Sequence, residues 1–191
     1  MLEIWGRRSS SNVQALMWCV GELGLDHVRH DAGFTYGGTD TEAFAAMNPN
    51  RTIPVLRDEG GAPIWETGAI LRYLSGRYAN ARFWPGDPAR RAQVDKWAEW
   101  AKINVAMGFT VPIFWPLVRM PETERNPAAI AAALDRLHAV LGIAERQLQE
   151  NAWLAGENFT LADIQFGHVL YRYFDIGIER PDLPMLRQYF D

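Results

Sequence analysis

Cysteine is nearly absent: Cys19 stands alone among 191 residues, which excludes an internal disulfide framework and any CxxC metal or redox pair. The four histidines, His27, His30, His138 and His168, show neither HExxH spacing nor a cysteine partner, so no metal is expected. Positive charge is short as well. With a formal net charge of -4 and no long basic run, neither nucleic acid nor a membrane surface is an expected partner. No stretch approaches the roughly 18 apolar residues of a membrane span, and Met1-Leu2-Glu3-Ile4 lacks the charged and apolar regions of a secretory leader. A cytoplasmic protein is therefore expected, and the sequon Asn158-Phe159-Thr160 reads as a structural turn. Apolar side chains are plentiful. At 48% hydrophobic, with 8 Trp, the chain can bury a substantial core in one domain or two small ones.

Leu2 to Trp5 reads as a short strand, and from Val13 apolar residues recur at Leu16, Met17, Val20 and Leu23 with helical spacing that Gly24 ends. A second strand near Val28 follows, then the polar loop GFTYGGTD, then a short helix from Glu42 to Met47 stopped by Asn48-Pro49. Val55 to Arg57 and Pro63 to Trp65 read as an antiparallel hairpin joined by Asp-Glu-Gly-Gly, before a helix carrying Ile70, Leu71, Tyr73 and Leu74. The order βαβ-α-ββα predicts a small mixed sheet covered by helices over residues 1–80. ANARFWPGDPARR breaks the pattern, and 81–88 reads as a linker.

Residues 89–191 show no strand pattern and predict an all-helical bundle. Val94, Trp97, Ala98, Ala101 and Val105 mark one long helix, and Leu134, Leu137, Leu141, Ala144 and Leu148 another. Pro112 and Pro116 should kink or end the first, with RMPETERNP as the loop between them.

Three constellations carry possible chemistry. In RRSSSNVQALMW, Ser11 or Asn12 suits a helix cap, but capping needs one residue and three hydroxyls follow the strand. A hydroxyl or amide donor at a helix N-terminus also suits a bound thiolate or other anion. In NPNRTIPVL, Pro54 opens a strand, where an ordinary trans peptide is the plain reading. Glu66-Thr67 before a helical run reads as a dipole-favourable acid plus an N-cap. Thr160-x-x-Asp163 has capping-box spacing and is assigned to folding.

Taken in order, RSSSNVQALMWCVGELGL, MNPNRTIPVL, IWETGAILRYL and WLAGENFTLADI resemble segments of the soluble glutathione S-transferase family, of a bacterial, theta-, zeta- or beta-like type. The resemblance covers essentially the whole chain. It implies an α/β thioredoxin-like glutathione domain followed by an all-α domain, glutathione as co-substrate without a metal, and a homodimer. By the same resemblance Ile53-Pro54 corresponds to a Val-Pro step with a cis peptide, whose Ile53 N–H and C=O would pair with the cysteinyl backbone of glutathione. Glu66 would face the γ-glutamyl ammonium, and Thr67 its carboxylate. Many relatives carry a cation directly before the Val-Pro step; here that place is Thr52 and the cation is Arg51, named for the glycyl carboxylate.

Ser10 falls where theta-, zeta- and delta-like members keep the hydroxyl that contacts the sulfur, and Asn12 where other relatives keep Asn or Cys, so Ser10, Ser11 and Asn12 are the catalytic candidates. Lowering a thiol pKa of ~8.5 by about two units corresponds to roughly 2.7 kcal/mol. A hydrogen bond to a charged acceptor contributes about 1.5–3 kcal/mol and a helix N-terminus about 0.3–1 kcal/mol, which together suffice. Ser10 then acts as donor to the thiolate. Family position also puts Phe109, Phe114 and Trp115 beside the sulfur as an apolar pocket for a small electrophile. The expected reaction is conjugation of glutathione to apolar electrophiles; the alternatives are a non-catalytic binding protein, or glutathione-dependent peroxide or disulfide reduction. Relatives commonly continue past LPMLRQYF, so a further pocket-closing segment is expected beyond Asp191.

Overall fold

The computed structural model describes residues 1–191 and divides into two compact units, Met1–Asn80 and Ala81–Asp191. The first holds β1 (Leu2–Trp5), α1 (Ser11–Glu22), β2 (His27–His30), α2 (Glu42–Met47), β3 (Val55–Asp58), β4 (Ile64–Trp65) and α3 (Thr67–Tyr78). The sheet order is β2-β1-β3-β4. β1 pairs parallel with β2, Ile4 opposite Arg29, and antiparallel with β3, Trp5 opposite Val55. β3 and β4 form the expected hairpin, Val55 opposite Trp65. Leu2 and Ile4 alternate inward along β1, and α1 and α3 bury Val13, Leu16, Val20, Ile70, Leu71 and Leu74. Phe44 of α2 clusters instead with Ala32 and Val55, with Trp5, Met47 and Ile53 packed around them. The GFTYGGTD loop contains one 3-10 turn, Phe34–Tyr36.

The second unit contains α4 (Pro88–Arg119), α5 (Pro127–Glu150), α6 (Leu161–Asp175) and α7 (Pro184–Phe190). Asp87 and Asn126 cap α4 and α5 ahead of Pro88 and Pro127, and Thr160 and Asp163 close the capping box of α6. Residues 81–88, read as a linker, pack within this unit: the Phe83 ring lies tilted against Phe159 at 5.9 Å, and Arg91 lies over the Trp84 ring at 5.5 Å.

Pro112 does not end α4. The helix runs on to Arg119 because the turn holding that proline, Thr110–Phe114, widens into π-helix, as does Ala101–Ala106. A wider turn removes the demand for the i→i−4 bond that a proline cannot donate. The seam of α5 begins one turn earlier than expected, with Ile130 and Ala133 buried and Leu134 only half-buried. The expectation of no span-like run is also corrected: α4 and α5 are each long and apolar enough, by length and composition alone, to cross a membrane. Both nevertheless turn apolar residues into the core, Val94, Ala98 and Val105 from α4 and Leu137, Leu141 and Leu148 from α5.

Candidate functional site

Strand directions bring the sequence candidates of the first unit to one end of the sheet. Because β1 and β3 run antiparallel, the exit of β1 lies beside the entry of β3, and the exit of β4 lies beside that same entry. Gly6–Ser10, Ile53-Pro54 and Glu66-Thr67 therefore share one edge, with adjacent strands about 4.8 Å apart and the three segments spanning roughly 10 Å. The N-termini of α1 and α3 open at this edge, and each presents unpaired backbone N–H groups with partial positive charge. Such an edge suits an extended, anionic ligand.

Ser10, not Ser11 or Asn12, occupies the cap position of α1. Its carbonyl accepts the N–H of Gln14 at 2.9 Å, yet its side chain makes no cap hydrogen bond. Ser10 is 8% exposed, while Ser11 and Asn12 are half-buried in the first turn. A hydroxyl at a helix mouth that leaves the cap bond unmade is free to donate elsewhere. The cap expected at Ser11 or Asn12 thus lies one residue earlier, because the Ser10 N–H bonds back to the Arg7 carbonyl at 3.1 Å and turns the chain into the helix there.

Ile53-Pro54 is cis, as the resemblance implies and against the plain trans reading. Its approach is shaped by Asn48, a residue that helix-stop reasoning treated only as punctuation. Buried at 1% exposure, Asn48 donates from Nδ2 to the Thr52 carbonyl at 2.8 Å and to Thr52 Oγ1 at 3.2 Å. Its Oδ1 accepts the Asn50 N–H at 3.0 Å. A buried amide used at both ends fixes the loop that delivers Ile53 to the sheet edge.

Glu66 is the cap residue of α3, with φ 68 and ψ 118, and its side chain makes no cap bond. A glutamate in left-handed backbone, exposed, with its carboxylate unused by the helix it starts, marks a position held for something other than helix stability. Thr67 is the first helical residue rather than the expected cap, and it is 2% exposed. Arg51 is engaged elsewhere: its guanidinium donates to the carbonyls of Asp40 and Thr41 and pairs with Glu42 at 2.7 Å.

In the second unit Phe109 is 1% exposed and packs on Phe114 at 5.8 Å and Tyr173 at 6.2 Å. Phe114 is half-buried beneath Arg172, and Trp115 is exposed beneath Arg119. Ile103, Met107, Val111 and Trp115 recur every fourth residue as an exposed apolar face of α4. Cys19 is fully buried, and burial pushes its thiol up to about 12. No group of three or more His, Cys, Asp or Glu side chains is placed to hold a metal ion.

Residues 1–76 match the family Glutathione S-transferase, N-terminal domain, and residues 106–191 match Glutathione S-transferase, C-terminal domain. The chain is 35% identical to glutathione S-transferase GstB of Escherichia coli K12 over 191 residues, covering 100% of this chain and 91% of that one. Among solved structures, the theta class glutathione S-transferase of Xanthomonas axonopodis pv. citri with glutathione bound superposes with a TM-score of 0.92 at 41% identity, covering 99% of this chain and 90% of that one. A glutathione S-transferase from Pseudomonas fluorescens superposes with a TM-score of 0.87 at 28% identity, covering 99% and 92%.

Proposed function

The chain belongs to the glutathione S-transferase family, and on that premise we propose how its residues carry out the transfer of glutathione to apolar electrophiles. It is a glutathione S-transferase that takes glutathione as co-substrate. Glutathione lies along the sheet edge. Ile53 pairs its backbone with the cysteinyl unit, Glu66 meets the γ-glutamyl ammonium, and Thr67 with the α3 N-terminus holds the neighbouring carboxylate. Arg51 reaches the glycyl carboxylate only by leaving Glu42, with Thr52 alongside. Ser10 donates to the sulfur, and Ser11 and Asn12 add the first-turn N–H groups of α1.

The thiol proton passes to water, and the thiolate forms a bond to the electrophilic carbon. The leaving group departs with the bonding pair, or in an addition the resulting carbanion takes a proton from water. Ser10 keeps its proton throughout. The buried, protonated Cys19 supports a glutathione thiolate rather than a protein thiolate as the nucleophile. For the electrophile, Trp115 and Phe114 are joined by the exposed Met107 and Val111 of α4. The family supports a cytoplasmic homodimer.

The observation that carries the Ser10 assignment is the uncommitted hydroxyl at the mouth of α1. Its test is the ultraviolet thiolate absorbance of bound glutathione against pH. Wild type should titrate about two units below the ~8.5 of a free thiol, and Ser10→Ala should return most of that shift. Identical titrations in the two proteins would remove Ser10 from the chemistry.

A further inference from the structure

The loop that presents Ser10 is gripped from β2. Gly6 donates its N–H to the His30 carbonyl at 2.9 Å, and Arg7 donates to the Ala32 carbonyl at 3.1 Å, so the ladder continues past the end of β1. The Gly6 carbonyl then leaves the sheet and is taken by a side chain: Arg29 Nη1 donates to it at 2.7 Å. The same nitrogen bonds the carboxylate of Asp31, which fixes the guanidinium in place. Arg29 lies opposite Ile4 in the parallel pair, and its side chain is 22% exposed.

Gly6 is also where the loop meets both other parts of the glutathione edge. A Cβ built on it falls 2.5 Å from Val13 Cγ2, in the first turn of α1, and 3.4 Å from Ile53 Cβ. Movement of this peptide is therefore transmitted to the start of α1, and from the Arg7 carbonyl through its 3.1 Å bond to the Ser10 N–H. We infer that Arg29 is a positioning residue for the transferase reaction, holding the Gly6 carbonyl so that the Ser10 hydroxyl meets the glutathione sulfur. The inference rests on the assignment of Ser10 above. Arg29 touches no substrate in this scheme; it sets the donor geometry, and hydrogen bonds to a charged acceptor weaken steeply with misalignment.

The experiment is the same thiolate titration, run on Arg29→Met, Arg29→Lys, Ser10→Ala and the double variant Arg29→Met/Ser10→Ala, with glutathione affinity measured in each. Arg29→Met keeps an apolar stem on the strand and removes the donor. It should raise the pKa of bound thiol by about one unit, lower kcat at neutral pH several-fold and change glutathione affinity less than threefold. Arg29→Lys, which retains a donor and the charge, should recover part of the shift. The double variant should titrate like Ser10→Ala alone, because a residue acting through Ser10 has nothing left to position.

An additive double variant would mean that the guanidinium charge acts on the sulfur directly, and that overturns the positioning role. A titration shifted by Ser10→Ala but untouched by Arg29→Met overturns the inference while leaving the Ser10 assignment intact. A titration that Ser10→Ala does not move overturns both.

Discussion

Glu145, in the last two turns of α5, accepts the backbone N–H of Leu186 at 2.8 Å across 41 residues of sequence. The other carboxylate oxygen takes the N–H of Met185 at 3.1 Å. Helix α7 has no side-chain cap of its own, so a carboxylate 8% exposed on a neighbouring helix supplies it. Glu145→Ala would leave two N–H groups at a part-buried helix start without that acceptor, and charged hydrogen bonds contribute about 1.5–3 kcal/mol each. The expected loss is about 3 kcal/mol, the low end for two such bonds, seen as a lower urea midpoint. Glu145→Gln keeps one acceptor oxygen and should lose about half as much; equal midpoints in all three proteins would contradict the capping role.

Gly6 admits no side chain where it stands. The 2.5 Å approach to Val13 Cγ2 involves a β-branched side chain with little rotamer freedom, fully buried between sheet and helix. Gly6→Ala should cost about 1–3 kcal/mol by overpacking and weaken glutathione binding, since the added Cβ also crowds Ile53 Cβ at 3.4 Å. Adding Val13→Ala reopens the space. The pair should therefore be less destabilised than the sum of the two single variants, and simple additivity by thermal unfolding would show that the clash is relieved elsewhere.

Glu66 separates binding from stability. Its φ of 68 costs about 1–2 kcal/mol in a residue with a Cβ, a strain that Glu66→Gly relieves, against roughly 0.5–1 kcal/mol of extra chain entropy. Glu66→Gly should leave the melting temperature unchanged or raise it, while glutathione affinity falls at least tenfold with loss of the carboxylate. Isothermal titration alongside calorimetry checks both halves. A stable variant that still binds glutathione as wild type does would remove Glu66 from the ammonium site.

What could be read in the sequence followed periodicity. The strands of the first unit, and α1 through Leu16 and Val20, are visible because apolar spacing and burial are the same fact seen twice. Ser10, Ile53 and Glu66 stand together as a proposed set only through their order along the chain, since each also has an ordinary structural reading. Arg29 and Asn48 were not legible. The contact of Arg29 with Gly6 spans 23 residues, and the work of Asn48 is done by a buried amide that no hydropathy pattern marks. Of the two outcomes expected at Pro112, a kink or an end, the end does not occur, because a π-turn has room for the proline.

His168 makes the helical unit sensitive to acid. Its ring lies on the buried side of α6, with Nδ1 3.1 Å from the Ile164 carbonyl and Nε2 buried without a hydrogen-bond partner. Burial pushes its pKa down to about 4, and the positive charges of Lys102 and Arg172 push the same way, while the Ile164 carbonyl opposes them. In the unfolded chain an imidazole titrates near ~6.5, so between pH 6.5 and 4 the unfolded state binds the extra proton. Stability must then rise with pH across that window and fall as acid is added, with no further change from this group below about 4. The span corresponds to about 3 kcal/mol. His168→Leu removes the titration without opening a polar vacancy, so the difference in unfolding free energy between wild type and His168→Leu should shrink by about that amount from pH 7 to 4. Taking the difference cancels the carboxylates that titrate in both proteins. A difference independent of pH would mean that the folded protein accepts the proton at His168 as readily as the unfolded chain does.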